Sequence, residues 1–184
     1  MSNYLQQIFN HCQQYFHKHF FAFSPDKSQQ IKGENIALLV YDFDGVMTDN
    51  RALQFEDGTE AVFVSRADGY GVSQLKKRGF KQLILSTETN LVVSARGKKL
   101  NIEVIQGSSD KKAALTAYCA GLNIDLSDVL YIGNDLNDFE VMQVVGFPVA
   151  PADAHPAIIK IAKHVTKVKG GDGVVKELWE SVVA

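Results

Sequence analysis

Apolar residues fall along this chain in short blocks of two kinds. Ile36 to Tyr41, Gln82 to Leu85, Ile102 to Ile105 and Val129 to Ile132 are largely apolar runs of strand length. Runs of this kind suit strands covered on both faces. Between them apolar positions recur every three or four residues, which predicts helices over Asp68 to Arg78, Asn90 to Leu100, Asp110 to Ala120, Asp135 to Val144 and Pro156 to Ala162, with Gly173 to Val183 closing the chain. Gly79 and Gly121 stop two of these helices. Arg51 to Phe55 and Glu60 to Ser65 flank Glu56-Asp57-Gly58-Thr59, an Asp-Gly turn that predicts a β-hairpin. Pro148 and Pro151 are expected to bracket a loop. Strands alternating with helices imply an α/β fold with a doubly wound, mainly parallel sheet, to which a small hairpin is added.

Upstream, Tyr4, Leu5, Ile8, Cys12, Tyr15, Phe16 and Phe20 form one stripe of an amphipathic helix, and the polar stretch Ser24 to Asn35, with Pro25 and Gly33, is a linker. Residues 1–34 are therefore expected to be a helical arm and linker, and residues 35–184 the main domain. The stripe packs either on its own domain or on a neighbouring subunit. His17 and His19 of this arm fall on different helix faces, which argues against a shared metal.

Charge and cysteine content narrow the partners. Lys and Arg total 19 against 21 Asp and Glu, so no overall basic field is present to hold a nucleic acid or an anionic membrane. Cys12 and Cys119 lack metal-type spacing, no signal-peptide layout opens the sequence, and no apolar run reaches membrane-spanning length. A cytoplasmic protein without membrane or nucleic-acid partners is expected.

Candidate chemistry gathers at strand ends. The first strand stops in Asp42-Phe43-Asp44-Gly45, two carboxylates one residue apart, and in a parallel sheet such ends open onto the ligand crevice. Two close acids repel unless a cation lies between them, and a hard oxygen-seeking ion such as Mg²⁺ fits best. The run Leu83-Ile84-Leu85 ends in Ser86, Lys111 stands at a helix start after Gln106-Gly107, and Tyr131-Ile132-Gly133 leads into Asn134-Asp135-Leu136-Asn137-Asp138. Singly these are ordinary turn and cap residues.

In that order they resemble the four motifs of the haloacid dehalogenase-like phosphotransferase superfamily, over Asn35 to the C-terminus. The resemblance implies a Mg²⁺-dependent phosphatase with Asp42 as nucleophile and Asp44 as general acid and base. Ser86 and Lys111 would stabilise the phosphoryl group. The metal would be held by Asp42, the Asp44 carbonyl and a fourth-motif side chain. That motif usually opens Gly-Asp-Asp, whereas here it reads Gly133-Asn134-Asp135, leaving Asn134 and Asp135 as alternative ligands.

Little chain is inserted between the motifs, so a large cap is absent and the resemblance is to the capless phosphatases of 3-deoxy-octulosonate 8-phosphate and of nonulosonate 9-phosphates. It rests on Asp42 to Asp49, Asp68-Gly-Tyr-Gly71, Gln106-Gly107, Asp153-Ala-His-Pro156 and Gly170-Gly-Asp-Gly173. These relatives imply a homotetramer in which the hairpin leans on the adjacent site. Glu88, Arg96 and Lys99 stand where the nonulosonate type has Glu, Arg and Lys, and the octulosonate type has Arg at the position of Glu88. They would bind the sugar acid, with Arg66 as a further candidate. The nonulosonate 9-phosphate is accordingly the expected substrate and the octulosonate 8-phosphate the alternative. A scaffold domain tied to a sialate cytidylyltransferase is the non-enzymatic alternative.

Overall fold

Leu38–Tyr41 (β1) is fully buried at the centre of the sheet in the computed structural model, which describes residues 36–181. The arm expected over Tyr4 to Phe20, and the boundary at residue 34, lie outside the described residues. Onward from β1 the chain forms Thr48–Gln54 (β2) and Glu60–Val64 (β3), then Arg66–Lys77 (α1), Lys81–Leu85 (β4), Leu91–Leu100 (α2) and Glu103–Ile105 (β5). It continues through Lys111–Leu122 (α3), Val129–Ile132 (β6), Phe139–Met142 (α4), Phe147–Ala150 (β7), Pro156–Ile161 (α5), His164–Val165 (β8) and Val174–Ser181 (α6).

Six strands pair in the order β5-β4-β1-β6-β7-β8, all parallel, so the expected doubly wound sheet is present. Alternation along β1 divides the core. Leu39 and Tyr41 join Val72 and Leu75 of α1, Val93 of α2 and Leu178 of α6 on one face. Leu38 and Val40 join Leu115 of α3, Met142 of α4 and Ile158 of α5 on the other. The chain runs outward from β1 through β4 to β5 and then returns to β6 on β1's other side. This reversal opens a crevice beyond the carboxyl ends of β1 and its neighbours.

The hairpin β2–β3 is a separate two-stranded antiparallel sheet whose register shifts between Thr48 and Ala52. Val62 and Val64 pack on the core, while Phe63 points out.

Three expectations need correction. The loop expected between Pro148 and Pro151 is strand β7, with Pro148 opposite Tyr131. Its Val149 and Ala150 are fully buried, and that burial outweighs the donor lost at proline. The helix expected from Asp135 to Val144 is a 3-10 turn over Leu136–Asp138 followed by the one-turn α4. Helix α3 runs past Gly121 and ends on Asn123, which takes the left-handed conformation that an Asn also tolerates.

Candidate active site

Immediately after β1, Asp42 is 3 % exposed and its backbone N–H donates to Ile132 O of β6 at 2.9 Å, which fixes it between two strand ends. Its Oδ1 accepts from Phe43 N at 2.7 Å and pairs with Lys111 Nζ at 2.7 Å. Lys111, the first residue of α3, also donates to Asp138 Oδ1 at 2.7 Å, and that oxygen takes the Tyr131 hydroxyl at 2.8 Å. Asp138 Oδ2 accepts from Asn134 N at 2.8 Å and Asp135 N at 3.3 Å. Two buried carboxylates thus share one ammonium. Burial and the neighbouring Asp138 push the Asp42 carboxyl up, against the pull of Lys111. Burial disfavours the Lys111 charge, but Asp42 and Asp138 outweigh it and hold the amine above its ordinary value. With both carboxylates ionised the trio carries one negative charge in excess, an arrangement that favours a further cation.

Gly45 then turns the chain with φ +77°, and a Cβ there would collide with the Asn134 side chain. Only glycine combines that conformation with this close approach. The end of the Asn134 amide consequently lies 2.9 Å from the Asp44 carbonyl oxygen and 3.2 Å from Asp42 Oδ2. With Nδ2 inward it donates to both. With Oδ1 inward, three oxygens converge on one point, the donor set a hard cation takes. Asp135 also lines the pocket, with its Oδ1 accepting from Leu136 N at 2.7 Å as a cap. The residues present fit Mg²⁺ through Asp42, the Asp44 carbonyl and Asn134, while Asp135 spends one oxygen on the cap. Asp44 is half-buried and accepts from Thr48 Oγ1 at 3.2 Å, and burial raises its carboxyl despite that bond.

At the tip of β4, Ser86 is 1 % exposed, and its Oγ accepts from Glu88 N at 3.0 Å, so the hydroxyl keeps its own proton to donate. The Glu88 carboxylate accepts from Thr89 N at 2.6 Å and Asn90 N at 3.0 Å. Asn90 in turn donates to Glu60 of the hairpin at 3.0 Å.

A pocket of about 510 Å³ opens over these groups, with Asp42, Asp44 and Asn134 at its floor, Thr87 and Glu88 on one wall, and Asn50, Arg51 and Glu60 of the hairpin on another. Of the four residues expected to bind substrate, Glu88 alone lines it. Arg96 is buried and donates through Nη2 to Ser65 O at 2.7 Å beside Asp68, while Lys99 and Arg66 are exposed outside the lining. Spacing on the helix put Arg96 and Lys99 on one side but could not show that α2 turns that side inward at Arg96.

Sequence reasoning gave no role to Asp138, Thr48, Asn50, Arg51 or Glu60. Asp138 was legible in principle, four residues after Asn134 in the acid-rich loop. The hairpin residues carried no signal, since only the fold brings them over the strand ends.

Comparison with known proteins places the chain in a family. A family model described as haloacid dehalogenase-like hydrolase matches residues 2–178. The chain is 37 % identical over 153 residues to 3-deoxy-D-manno-octulosonate 8-phosphate phosphatase of Yersinia pestis, covering 83 % of this chain and 82 % of that one. Among solved structures, a haloacid dehalogenase-family hydrolase from Streptomyces avermitilis is 45 % identical with a TM-score of 0.80, covering 83 % of this chain and 88 % of its own. The octulosonate 8-phosphate phosphatase of Moraxella catarrhalis, solved with magnesium, phosphate and the sugar acid, is 30 % identical with a TM-score of 0.79, covering 86 % and 90 %.

Proposed function

The chain belongs to the haloacid dehalogenase-like hydrolase family, and on that footing we propose that it is a phosphoric monoester hydrolase removing the terminal phosphate of a 2-keto-3-deoxy sugar acid. The observation that carries the reading is the Asp42–Lys111–Asp138 trio beside the oxygens of Asp44 and Asn134, at the floor of a pocket large enough for a sugar.

Asp42 attacks phosphorus in line, forming an aspartyl-phosphate as the bond to the sugar oxygen breaks. Asp44, whose carboxyl burial pushes up, gives a proton to the departing alkoxide. It then takes a proton from water as that water attacks the aspartyl-phosphate, which releases inorganic phosphate and restores Asp42. Lys111 and the Ser86 hydroxyl stabilise the phosphoryl oxygens throughout. Mg²⁺, held by Asp42 Oδ2, the Asp44 carbonyl and the Asn134 amide oxygen, would supply neutralising charge for the same oxygens. Such chemistry demands every one of these groups, because enzymes acting on phosphate monoesters reach accelerations up to about 10²¹.

The 3-deoxy-octulosonate 8-phosphate is the substrate best supported, since the Yersinia pestis relative, aligned over four-fifths of both chains, is named for cleaving it. A nonulosonate 9-phosphate is the second reading, favoured by one observation: an acid, Glu88, lines the pocket where the octulosonate type has an arginine. A cytoplasmic homotetramer belongs to the same proposal, supported by the apolar outer side of the hairpin.

The test is phosphate release from both sugar-acid phosphates, with and without Mg²⁺. Preferred cleavage of the octulosonate supports the first reading, and preferred cleavage of the nonulosonate the second. Cleavage of neither by a folded protein favours the scaffold alternative. A Glu88→Arg variant should shift preference toward the octulosonate, and unchanged relative rates remove Glu88 from specificity.

A further inference from the structure

We propose that Arg51, on the hairpin, is a specificity-determining residue that receives the substrate's carboxylate. The inference deepens the sugar-acid phosphatase reading and rests on it.

A sugar-acid phosphate is anionic at both ends. Its phosphate would be met at the pocket floor by the Lys111 end of the site, and its carboxylate, several carbon–carbon bonds away, needs a cation elsewhere in the lining. That region is rich in acids, for Asp42, Asp44, Glu60, Glu88 and Asp135 all line the pocket. Among the described lining residues Arg51 is the one cationic side chain. The other cations suggested by the sequence are engaged or displaced: Arg96 is buried on Ser65 O, and Arg66 and Lys99 lie outside the lining.

The backbone also aims Arg51. Hairpin register breaks between Thr48 and Ala52, and Asn50 takes φ +61° just before Arg51. Irregularities of this sort re-aim a side chain. Asp49 then holds the guanidinium, with Nε 2.9 Å and Nη2 2.6 Å from Asp49 Oδ2. An ion pair so exposed, with side chains 83 % and 26 % accessible, adds little to stability, so its effect is orientation. A guanidinium fork pre-set at a pocket rim matches a carboxylate better than a lysine would.

The experiment uses the full chain as wild type, Arg51→Gln and Arg51→Lys. It measures kcat/KM for octulosonate and nonulosonate 8- and 9-phosphates against a neutral pentose 5-phosphate, and titrates the free sugar acid by calorimetry. Arg51→Gln should lower the preference for acid over neutral ester roughly 10- to 100-fold, chiefly through KM, and weaken binding of the free acid. Arg51→Lys should recover part of both. A wild type that prefers the acids while Arg51→Gln keeps the same ratio and the same affinity overturns the role of Arg51 alone. A wild type with no preference for the acids overturns the sugar-acid reading, and this inference with it.

Discussion

Lys111 Nζ lies 2.7 Å from Asp138 Oδ1 with both side chains essentially closed to solvent. Asp138 also accepts from Tyr131 and from two backbone N–H groups of the metal-proximal loop, so it anchors the lysine and the loop together. Asp138→Asn keeps the shape and removes the charge. Lys111 then leans on Asp42 alone, which occupies the nucleophile, and kcat should fall roughly 10- to 100-fold. Breaking a buried pair costs on the order of 3–5 kcal/mol, and the retained partner Asp42 places this variant at the lower end. Steady-state kinetics with thermal denaturation measures both, and an unchanged kcat would remove Asp138 from the site.

Gly45→Ala tests the turn that lets Asn134 reach the strand end. The substitution forces a Cβ into left-handed backbone, at roughly 1–2 kcal/mol, and drives it against the Asn134 amide. Mg²⁺ affinity, read by calorimetric titration, should fall together with stability. A variant that loses stability but binds Mg²⁺ as tightly as the wild type would show that Asn134 is not a ligand.

What the sequence revealed follows a physical divide. Apolar runs such as Leu38 to Tyr41 are legible because burial on both faces leaves no polar alternation, and strand-end acids stand out against them. Asp42 and Asp44 stand out this way, Ser86 and Lys111 only in order with them, and the fold brings Lys111 to Asp42 across 69 residues of sequence. Strand β7 was hidden by its proline, and β8 by having two residues. The choice between Asn134 and Asp135 was also closed to sequence reading. It depends on a 3-10 turn whose cap uses Asp135. Arg96 shows the reverse failure: a charged helix residue reads as surface, yet it is 7 % exposed and ties α2 to Ser65.

Asn134→Asp restores the second carboxylate of the usual fourth motif. A second anionic oxygen beside Asp42 Oδ2 and the neutral Asp44 carbonyl should tighten Mg²⁺ binding, because ligand charge raises affinity for a hard cation. Without metal the same charge adds to the excess already held by Asp42 and Asp138, so the metal-free variant should melt below the wild type and gain more on adding Mg²⁺. Equal Mg²⁺ titrations and equal melting shifts would exclude Asn134 from metal binding.

Asp68 gives the fold a measurable pH dependence. Its Oδ1 accepts from Val175 N at 2.8 Å at the start of α6, and Oδ2 is buried without a hydrogen bond. Burial pushes the carboxyl from 3.8 to about 6, against the backbone N–H groups at the start of α6 and the nearby Arg96. An acid whose pKa is higher folded than unfolded keeps its proton longer in the fold. Its contribution is complete below about pH 4 and is lost as pH rises through about 6. The stability of the wild type relative to Asp68→Asn should therefore drop by on the order of 2–3 kcal/mol across that window and then level off. Urea denaturation of both proteins from pH 4 to pH 7.5 measures it, and a difference that stays constant with pH would assign the burial of Asp68 no titration role.

The hairpin carries the remaining prediction. Val62 and Val64 turn inward onto the core, so the period-two alternation leaves Phe63 79 % exposed, alongside Leu53 at 57 % and Phe55 at 51 %. Two strands alone seldom hold such a surface in water, and an apolar strip of this kind favours burial against another chain. Because Asn50, Arg51 and Glu60 of the same hairpin also line the pocket, assembly through the strip would couple to substrate contact through one element. Phe63→Glu places a charge in the strip without touching the inward residues. It should convert a tetramer into smaller folded species and reduce kcat/KM for the sugar-acid phosphate about tenfold, as loss of a lid opens the site to water. Light scattering coupled to gel filtration follows the assembly and circular dichroism the fold. A wild type that elutes as a monomer at micromolar concentration, or a Phe63→Glu variant that remains a tetramer, would mean the strip is not an interface.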